Sequence, residues 1–289
     1  LDRKQSMNGC AKKRFENYKQ QPLEFVFDKS FTGKLSQFGL DPNRRTPSGI
    51  KAAIIREKGT NGEREMAYML YLAGFDVKDV TMTDLISRRE TLEDINMVVY
   101  CGGFSNSDVL GSAKGWAGSF LFNPKAKAAL DNFYAREDTL SLGVCNGCQL
   151  MMELGLITPE DKKKGKMLHN DSHKFESVFL GVTVPMNRSV MFGSLSGSKL
   201  GIWVAHGEGK FSLPYPEDHY NVVLKYSYDE YPGNPNGSDY SVAGIASQDG
   251  RHLAMMPHLE RACFPWENAY YPLERLHEDQ ITPWMEAFV

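Results

Sequence analysis

The segment from Thr139 to Gly155 constrains the fold of this 289-residue chain more than any other. An apolar, strand-like run ends at Cys145, which has a glycine two residues away on each side, and a helix-like run follows. This is the thiol form of the G-x-S-x-G nucleophile elbow, in which a sharp strand-to-helix turn lifts the nucleophile above a sheet. The strained turn leaves no room for flanking side chains, and the helix N-terminus favours the thiolate. The pattern predicts a chain built around one activated cysteine.

Strand-like and helix-like segments alternate in the first half of the chain. The predicted strands are 52–55, 75–80, 97–101 and 140–144. The predicted helices are 62–73 with Asn61 as its cap, a short helix opened by Thr83, and 123–134 started by Asn123. This alternation predicts a parallel sheet that is covered on both faces by helices.

Strands and turns replace this alternation after about residue 174. The predicted strands are 175–184, 202–205, 221–228, 242–247 and 252–256. We expect them to extend the same sheet with antiparallel pieces. The fold class is therefore α/β, a three-layer αβα arrangement with a mixed, mainly parallel central sheet of the flavodoxin-like kind.

The first 48 residues differ in composition from the remainder. They are rich in Lys, Arg, Gln and Asn and end in a stretch with two prolines and two glycines. We predict a linker or packing arm at 1–48 and one domain at 49–289. Aromatic residues in a polar arm often mark contacts with a partner, so we expect Phe25, Phe27 and Phe31 to anchor the arm on a docking surface.

Composition and charge exclude several classes of protein. A formal net charge of -3 argues against broad binding of nucleic acid or of an anionic membrane. No apolar run is long enough for a transmembrane helix, and the first residues contain no signal-peptide core. Five unevenly spaced cysteines do not suggest a disulfide framework. We therefore expect a reducing, cytoplasmic setting.

A cysteine nucleophile needs a base, and that base needs an orienting partner. The chain offers two His-x-Glu pairs, His258 with Glu260 and His206 with Glu208. Residues i and i+2 of a strand point the same way, so each carboxylate could reach its imidazole. The spacing alone does not choose between the two pairs.

Other motifs leave alternatives open. Cys145 and Cys148 form a C-x-x-C, which could be a redox pair or half of a zinc site, but no second C-x-x-C exists and we expect no metal. Gly102 and Gly103 follow the third predicted strand. Their backbone N–H groups could stabilise an oxyanion, or the pair could be a simple tight turn.

An ordered set of motifs resembles the class I, triad glutamine amidotransferases. These motifs are Gly143-Val-Cys-Asn-Gly-Cys-Gln149, Pro257-His-Leu-Glu260 and Gly102-Gly103. Further segments resemble the glutaminase end of the formylglycinamide ribonucleotide amidotransferases, at 56–66, 101–105, 108–111, 115–117, 205–209 and 231–238. The resemblance covers about residue 50 to the end, and residues 1–48 more weakly resemble the connection that follows the synthetase domains of the long single-chain form.

The resemblance implies a role for individual residues. Cys145 would be the nucleophile, His258 the base and Glu260 its orienting carboxylate. Backbone N–H groups of Gly103 and Asn146 would form the oxyanion hole. Gln149 and the segment 169–176 would line the glutamine pocket, and the residues implied to bind glutamine are Gln149, Asn170, Ser172, Phe175 and His206.

The same resemblance implies a function. The chain would hydrolyse glutamine through a cysteine thioester and pass ammonia to synthetase domains of the same polypeptide or complex. It would carry no cofactor, and ATP and magnesium would act at a synthetase site outside it. Leu259 stands where the family usually has proline, Asn106-Ser107 replaces a commoner Tyr-Gly, and Lys174 replaces Arg or Gln. The alternatives are another thiol hydrolase of this fold, of the gamma-glutamyl hydrolase kind, and a C-x-x-C redox or metal-binding protein.

Overall fold

A nine-stranded mixed sheet forms the middle layer of the computed structural model, which describes residues 9–20 and 23–289. In chain order the strands are β1 (Lys51–Arg56), β2 (Thr60–Asn61), β3 (Asp76–Thr81), β4 (Met97–Tyr100), β5 (Gly102–Gly103), β6 (Leu140–Val144), β7 (Lys166–Leu168), β8 (Glu176–Thr183), β9 (Lys199–His206), β10 (Lys210–Ser212), β11 (Asn221–Tyr226), β12 (Val242–Ala246) and β13 (His252–Met255). The order across the large sheet is β3-β1-β4-β6-β13-β12-β11-β8-β9. Two small ribbons, β2 with β5 and β7 with β10, lie outside it.

The large sheet is parallel on one side and antiparallel on the other. Strands β3, β1, β4, β6 and β13 run parallel, and β12, β11, β8 and β9 continue the sheet with antiparallel pairs. Strand β4 is buried along its whole length, as expected for a parallel strand covered on both faces. The predicted antiparallel extension is confirmed except for β13, which pairs parallel to β6 and joins the two halves.

Helices cover both faces of the sheet. In chain order the helices of the described residues are α1 (Cys10–Asn17), α2 (Glu63–Leu72), α3 (Met82–Ser87), α4 (Lys114–Leu121), α5 (Pro124–Tyr134), α6 (Asn146–Leu154) and α7 (Leu273–Leu276), of which α2 to α6 form the two outer layers. Helix α2 contacts β1 and β3 together with the 3-10 turns Leu259–Arg261 and Pro283–Phe288, whereas α5 contacts α3 and α4, and α4 contacts α6. Because the strand order reverses at β1 and such crossovers are right-handed, these two groups lie on opposite faces. The three-layer αβα prediction is confirmed.

The N-cap residue predicted from the sequence is correct for one helix and wrong for two others. Asn123 accepts the N–H groups of the first turn of α5, as predicted. Asn61 does not cap α2, because Gly62 occupies that position in a left-handed conformation with φ 93°. Thr81 rather than Thr83 precedes α3, and its N–H and hydroxyl bind the carboxylate three residues on.

The N-terminal arm packs on its own domain. Val26 forms an antiparallel bridge with Lys199 at the outer edge of β9. Phe31 is buried, and the Arg275 guanidinium lies over the rings of Phe27 and Phe31. The Phe25 ring meets Tyr271 edge to face at 5.4 Å. These three phenylalanines thus pack against the chain's own C-terminal segment, where Phe31 is buried and Phe25 and Phe27 are partly buried, and their contact with a partner stays a prediction.

The sheet topology decides where a site can form. The carboxyl ends of β1, β4, β6 and β13 meet at one edge, beside the point where the strand order reverses at β1. Ligands of open α/β sheets bind at such a point. Within residues 9–20 and 23–289, every helix is too short or too polar to traverse a lipid bilayer.

Candidate active site

Cys145 stands at the turn between β6 and α6. Its backbone has φ 54° and ψ -106°, a strained conformation for a residue with a side chain. A Cβ atom at Gly143 would lie 2.6 Å from the carbonyl oxygen of Gly147, and one at Gly147 would lie 2.0 Å from that of Tyr100. Both glycines are thus required by close backbone approach, as the elbow pattern predicts.

His258 follows β13, and the parallel pairing of that strand with β6 brings it to the elbow. Met255 is in register with Val144, so the residues after both strands emerge at the same edge. The Nδ1 atom of His258 lies 2.7 Å from Oε1 of Glu260, and both side chains are buried. Glu260 sits in a 3-10 turn rather than on the strand, so the turn and not strand alternation brings the pair together.

The surroundings of His258 favour its charged form. Burial lowers the pKa of this imidazole, but the Glu260 carboxylate and hydrogen bonds with Cys145 and Glu260 outweigh burial and raise the pKa above its ordinary value. A protonated imidazole beside a thiol stabilises the thiolate. The geometry can therefore supply a cysteine nucleophile and a proton donor at the same place.

The second His-x-Glu pair is not a pair in the structure. The buried Nδ1 of His206 has no hydrogen-bond partner among the described residues, and burial lowers the pKa of His206 to about 4. Glu208 instead accepts a hydrogen bond from the Ser112 hydroxyl at 3.0 Å and lies 3.4 Å from Nε2 of His169. His206 is thus a neutral imidazole without a carboxylate partner.

The glycine pair after β4 forms the strand β5 and faces the reactive groups. A Cβ atom at Gly102 would lie 2.8 Å from Cε1 of His258 and 3.3 Å from Cβ of Cys145. Gly103 has φ 110°, and a Cβ there would lie 2.6 Å from backbone atoms of Gly59 and Asn61. Neither position can hold a side chain without a shift of the catalytic pair or of strand β2.

Residues 104–113 form a strained loop beside the elbow. Positive φ angles occur at the non-glycine residues Asn106, Ser107, Asp108, Ser112 and Ala113. Such conformations persist only where surrounding contacts hold them. Two side chains outside the loop bind it, the amide of Asn146 at the start of α6 and the carboxylate of Glu208 after β9.

Asn146 provides the first of these contacts. Its Nδ2 donates to Asp108 at 3.0 Å and to Gln149 at 2.8 Å, and its Oδ1 accepts the N–H of Ser105 at 3.0 Å. The side chain is fully buried and used in this network. Its backbone N–H is the first of α6, where helices leave N–H groups unpaired.

A cavity of about 650 Å³ opens beside Cys145. Its volume lies in the range usual for small-molecule sites. At its mouth the rings of Phe104 and Phe175 lie 6.0 Å apart. The sequence-predicted residues that line it are Gly103, Cys145, Gln149, Phe175, His206 and His258.

Two residues predicted to bind glutamine do not line the cavity. Asn170 is fully buried, donates to the carbonyl oxygens of Lys174 and His206, and accepts the N–H of Gly209. Ser172 is buried and its hydroxyl accepts the N–H of Lys174. Both side chains brace the wall from behind, so direct ligand contact by Asn170 and Ser172 is corrected to a supporting role.

Four polar or charged residues that the sequence did not place in the cavity also line it, namely Asn61, Asp108, Glu208 and Arg261. Burial raises the pKa of Asp108, and its hydrogen bond from Asn146 acts in the opposite direction. The His-x-Glu spacing pointed to Glu208 as a partner of an imidazole. For the other three residues, contact with the cavity depends on loops whose course the sequence did not reveal.

The C-x-x-C cysteines have different environments. Both are free thiols, but Cys148 is completely buried inside α6 and burial raises its pKa well above the ordinary value. Cys145 lines the cavity. Among the described residues, no group of three or more His, Cys, Asp or Glu side chains could hold a metal ion.

An elbow cysteine, a buried imidazole–carboxylate pair and a cavity at the carboxyl edge of a three-layer sheet are the elements that nucleophilic catalysis by a cysteine requires. The chain belongs to the family of CobB/CobQ-like glutamine amidotransferase domains, whose profile matches residues 49–289. The resemblance to glutamine amidotransferases is thereby confirmed.

Curated proteins that are similar to this chain are named phosphoribosylformylglycinamidine synthases. The chain is 43% identical over 85% of its length to the human protein, and 43% identical over 82% to a probable chloroplastic or mitochondrial protein of Arabidopsis thaliana. It is 37% identical over its full length to the protein of Drosophila melanogaster. These matches cover 18–22% of the relatives, so the chain spans about a fifth of their length.

Two solved structures also resemble this chain. The PurLQS structure from Thermotoga maritima matches with a TM-score of 0.57 and 29% identity, covering 74% of this chain and 89% of that one. A putative GMP synthase component from Thermoplasma acidophilum has a TM-score of 0.51 and 15% identity, covering 83% of this chain and 90% of that one. The second likeness concerns the fold alone.

Proposed function

We propose that this chain is the glutaminase part of a phosphoribosylformylglycinamidine synthase. It hydrolyses glutamine and supplies ammonia to an ATP-dependent site that converts formylglycinamide ribonucleotide to formylglycinamidine ribonucleotide in purine biosynthesis. The observation that carries the proposal is the buried His258–Glu260 pair, whose imidazole lines the same cavity as the elbow Cys145. The names of the relatives support the choice of this synthase over other enzymes of the fold.

The first chemical step belongs to Cys145. Its thiolate attacks the side-chain amide carbon of glutamine and forms a tetrahedral intermediate with a negative oxygen. Backbone N–H groups of Gly103 and Asn146 stabilise that oxygen, and loss of one such donor typically costs about 3 kcal/mol of transition-state stabilisation. The proposal is supported by the position of Asn146 at the first turn of α6 and of Gly103 on the cavity wall.

His258 moves the protons in the next steps. It donates a proton to the leaving nitrogen, so that ammonia departs and a glutamyl thioester remains on Cys145. It then accepts a proton from water, which hydrolyses the thioester and releases glutamate. Glu260 holds the imidazole through Nδ1 and stabilises its charged form, so Nε2 remains for the reaction.

The cavity binds the remainder of glutamine. Gln149, Phe175 and His206 line it and are the residues that we assign to substrate contact. The Gln149 amide is itself fixed, because Nε2 donates to the carbonyl oxygen of Glu208 at 2.7 Å. Gln149 on the cavity wall is thus hydrogen-bonded to Glu208, the residue whose carboxylate also binds the strained loop at Ser112.

Ammonia is used elsewhere in the assembly. The synthetase domains of the same polypeptide or complex are the partner, and ATP and magnesium act there. Residues 1–48 are the connection to those domains in this proposal, and residues 49–289 are the glutaminase domain. We place the protein in the cytoplasm, and five free thiols are compatible with that reducing compartment.

The test uses the complete protein that contains this chain. Cys145→Ala should abolish glutamine-dependent synthesis and leave ammonia-dependent synthesis largely intact, because nucleophile and acceptor site lie in different domains. A glutamine-analogue electrophile should add once to the wild type, on Cys145, as read by intact mass and peptide mapping. Equal loss of both activities in a folded variant would contradict the proposal, and hydrolysis of gamma-glutamyl peptides without synthesis would indicate the other thiol hydrolase.

A further inference from the structure

A buried carboxylate lies directly behind the cavity wall. Glu176 is 5% exposed and begins β8, immediately after the cavity residues Lys174 and Phe175. Among the described residues its oxygens have two partners, Nη2 of Arg14 at 2.8 Å and the hydroxyl of Tyr231 at 3.0 Å. A buried carboxylate that loses its cation is strongly destabilised.

Backbone pairing connects this carboxylate to the opposite wall. Glu176 is in register with His206 in the antiparallel pair of β8 and β9. His206 lines the cavity and precedes Gly207 and Glu208, which line it as well. A shift at the start of β8 therefore moves both walls of the site.

The cation comes from outside the segment that matches the family profile. Arg14 belongs to α1, whereas the profile begins at residue 49. Apolar burial does not hold α1 in place, because Phe15 is 79% exposed and only Cys10 is buried. Polar contacts help to attach the helix, since Arg14 pairs with Glu176 and the side-chain amide of Asn17 donates to the carbonyl oxygen of Tyr231 at 2.9 Å.

We propose that Arg14 is a positioning residue for the glutamine pocket. By pairing with Glu176 it fixes the start of β8 and thereby the wall formed by Lys174 and Phe175. Docking of α1 then sets glutamine affinity, and displacement of α1 by the preceding part of the protein would loosen the pocket without touching the triad. This inference rests on the proposed glutaminase function.

The test compares Arg14→Met with Lys12→Met in the complete protein. Methionine keeps much of the side-chain length and removes the charge, and Lys12 is an exposed cation on the same helix. Because Arg14 is half-exposed, its pair is partly screened, and we expect a rise in the glutamine KM of about tenfold, equivalent to ~1.4 kcal/mol. Turnover at saturating glutamine and ammonia-dependent synthesis should stay near wild type, and Lys12→Met should leave KM unchanged.

Two further variants separate positioning from general stability. Arg14→Lys should restore most of the affinity, since it keeps a cation near Glu176. In a Glu176→Gln background, Arg14→Met should add no further rise in KM, because no buried charge remains to be paired. Equal KM values for Arg14→Met and Lys12→Met, or an undiminished effect of Arg14→Met in the Glu176→Gln background, would overturn the inference.

Hydrogen exchange gives a readout that does not depend on turnover. Amides of residues 172–178 should exchange faster in Arg14→Met than in the wild type and be unchanged in Lys12→Met. If the wild-type enzyme hydrolyses no glutamine, the proposed function fails, and the exchange result still decides whether Arg14 holds this wall. Unchanged exchange in Arg14→Met would refute the positioning role.

Discussion

Gly102→Ala should damage catalysis through a single methyl group. The φ angle of Gly102 is not positive, so alanine is compatible with its backbone. The new Cβ would lie 2.8 Å from Cε1 of His258, about 0.6 Å short of ordinary contact at 3.4 Å. His258 cannot retreat freely, because it is buried and held at 2.7 Å by Glu260. The methyl group must therefore displace either the imidazole or strand β5.

The size of the effect follows from the geometry. A misplacement of about 1 Å costs a catalytic site about 100-fold, so a displacement of roughly half that distance should lower kcat/KM for glutamine by about 10- to 100-fold. This range corresponds to ~1.4 to ~2.7 kcal/mol of lost transition-state stabilisation. Ammonia-dependent synthesis should be unchanged, because in the proposed function the acceptor site belongs to the synthetase domains and not to this chain.

The assay measures glutamine turnover, the rate of Cys145 alkylation by a glutamine-analogue electrophile, and thermal unfolding. Gly118→Ala is the matched control, since its new Cβ would meet only the Phe122 ring at an ordinary 3.6 Å inside α4. The control should keep full activity and gain up to about 1 kcal/mol of stability from the helix. Wild-type kcat/KM in a folded Gly102→Ala protein would show that His258 does not rest against Gly102 during catalysis.

The remaining predictions concern three buried side chains. His258→Gln should stop Cys145 alkylation as completely as loss of the thiol, whereas His206→Gln should slow it less than about tenfold, because triad members act as a unit. Burial lowers the pKa of His206 to about 4, so the folded state resists protonation and stability should fall as the pH drops from about 6.5 to about 4. The free energy of unfolding, measured in urea, should fall between pH 7 and pH 4.5 by ~2 kcal/mol more in the wild type than in His206→Gln. Cys148→Ser should keep most turnover and lose about 1 kcal/mol of stability, since its sulfur is buried and no step uses it.

Specific outcomes would contradict each of these predictions. Alkylation that survives His258→Gln but stops in His206→Gln would reverse the assignment of the two His-x-Glu pairs. An unchanged pH dependence of stability in His206→Gln would mean that this imidazole binds a proton as readily in the folded state as in the unfolded state. Complete loss of turnover in a folded Cys148→Ser protein would support the C-x-x-C interpretation.

The elbow and the sheet could be predicted because their signals are local. The glycines beside Cys145 are required by contacts with neighbouring backbone, and each buried strand carries its own apolar run. The pairing and direction of a strand cannot be predicted from such local signals, because they depend on the neighbouring strand. The direction of β13 was therefore missed, although its pairing with β6 is what brings His258 to the thiol.

The cavity walls were harder to predict because their contacts are distant in sequence. Asn170 lies in the expected segment, but its hydrogen bonds to His206 and Gly209 turn its side chain inward. The arm phenylalanines Phe27 and Phe31 meet Arg275, more than 200 residues away. Polar composition at 1–48 suggested an exposed arm, and only the tertiary contacts show that Phe31 is buried and that Phe25 and Phe27 pack against the C-terminal segment.

Each motif is recognisable from its own short spacing, since Glu260 is two residues from His258 and the elbow spans five residues. Cys145 and His258 are nevertheless 113 residues apart, and only the pairing of β6 with β13 brings them together. The loop at 104–113 likewise depends on distant contacts. The strained loop costs about 1–3 kcal/mol for each residue in an unfavourable conformation. It persists because Asn146 and Glu208, 30 to 100 residues away in sequence, bind its polar groups. Substitutions that remove those contacts should release the loop first, and reduce catalysis while the triad residues themselves remain unchanged.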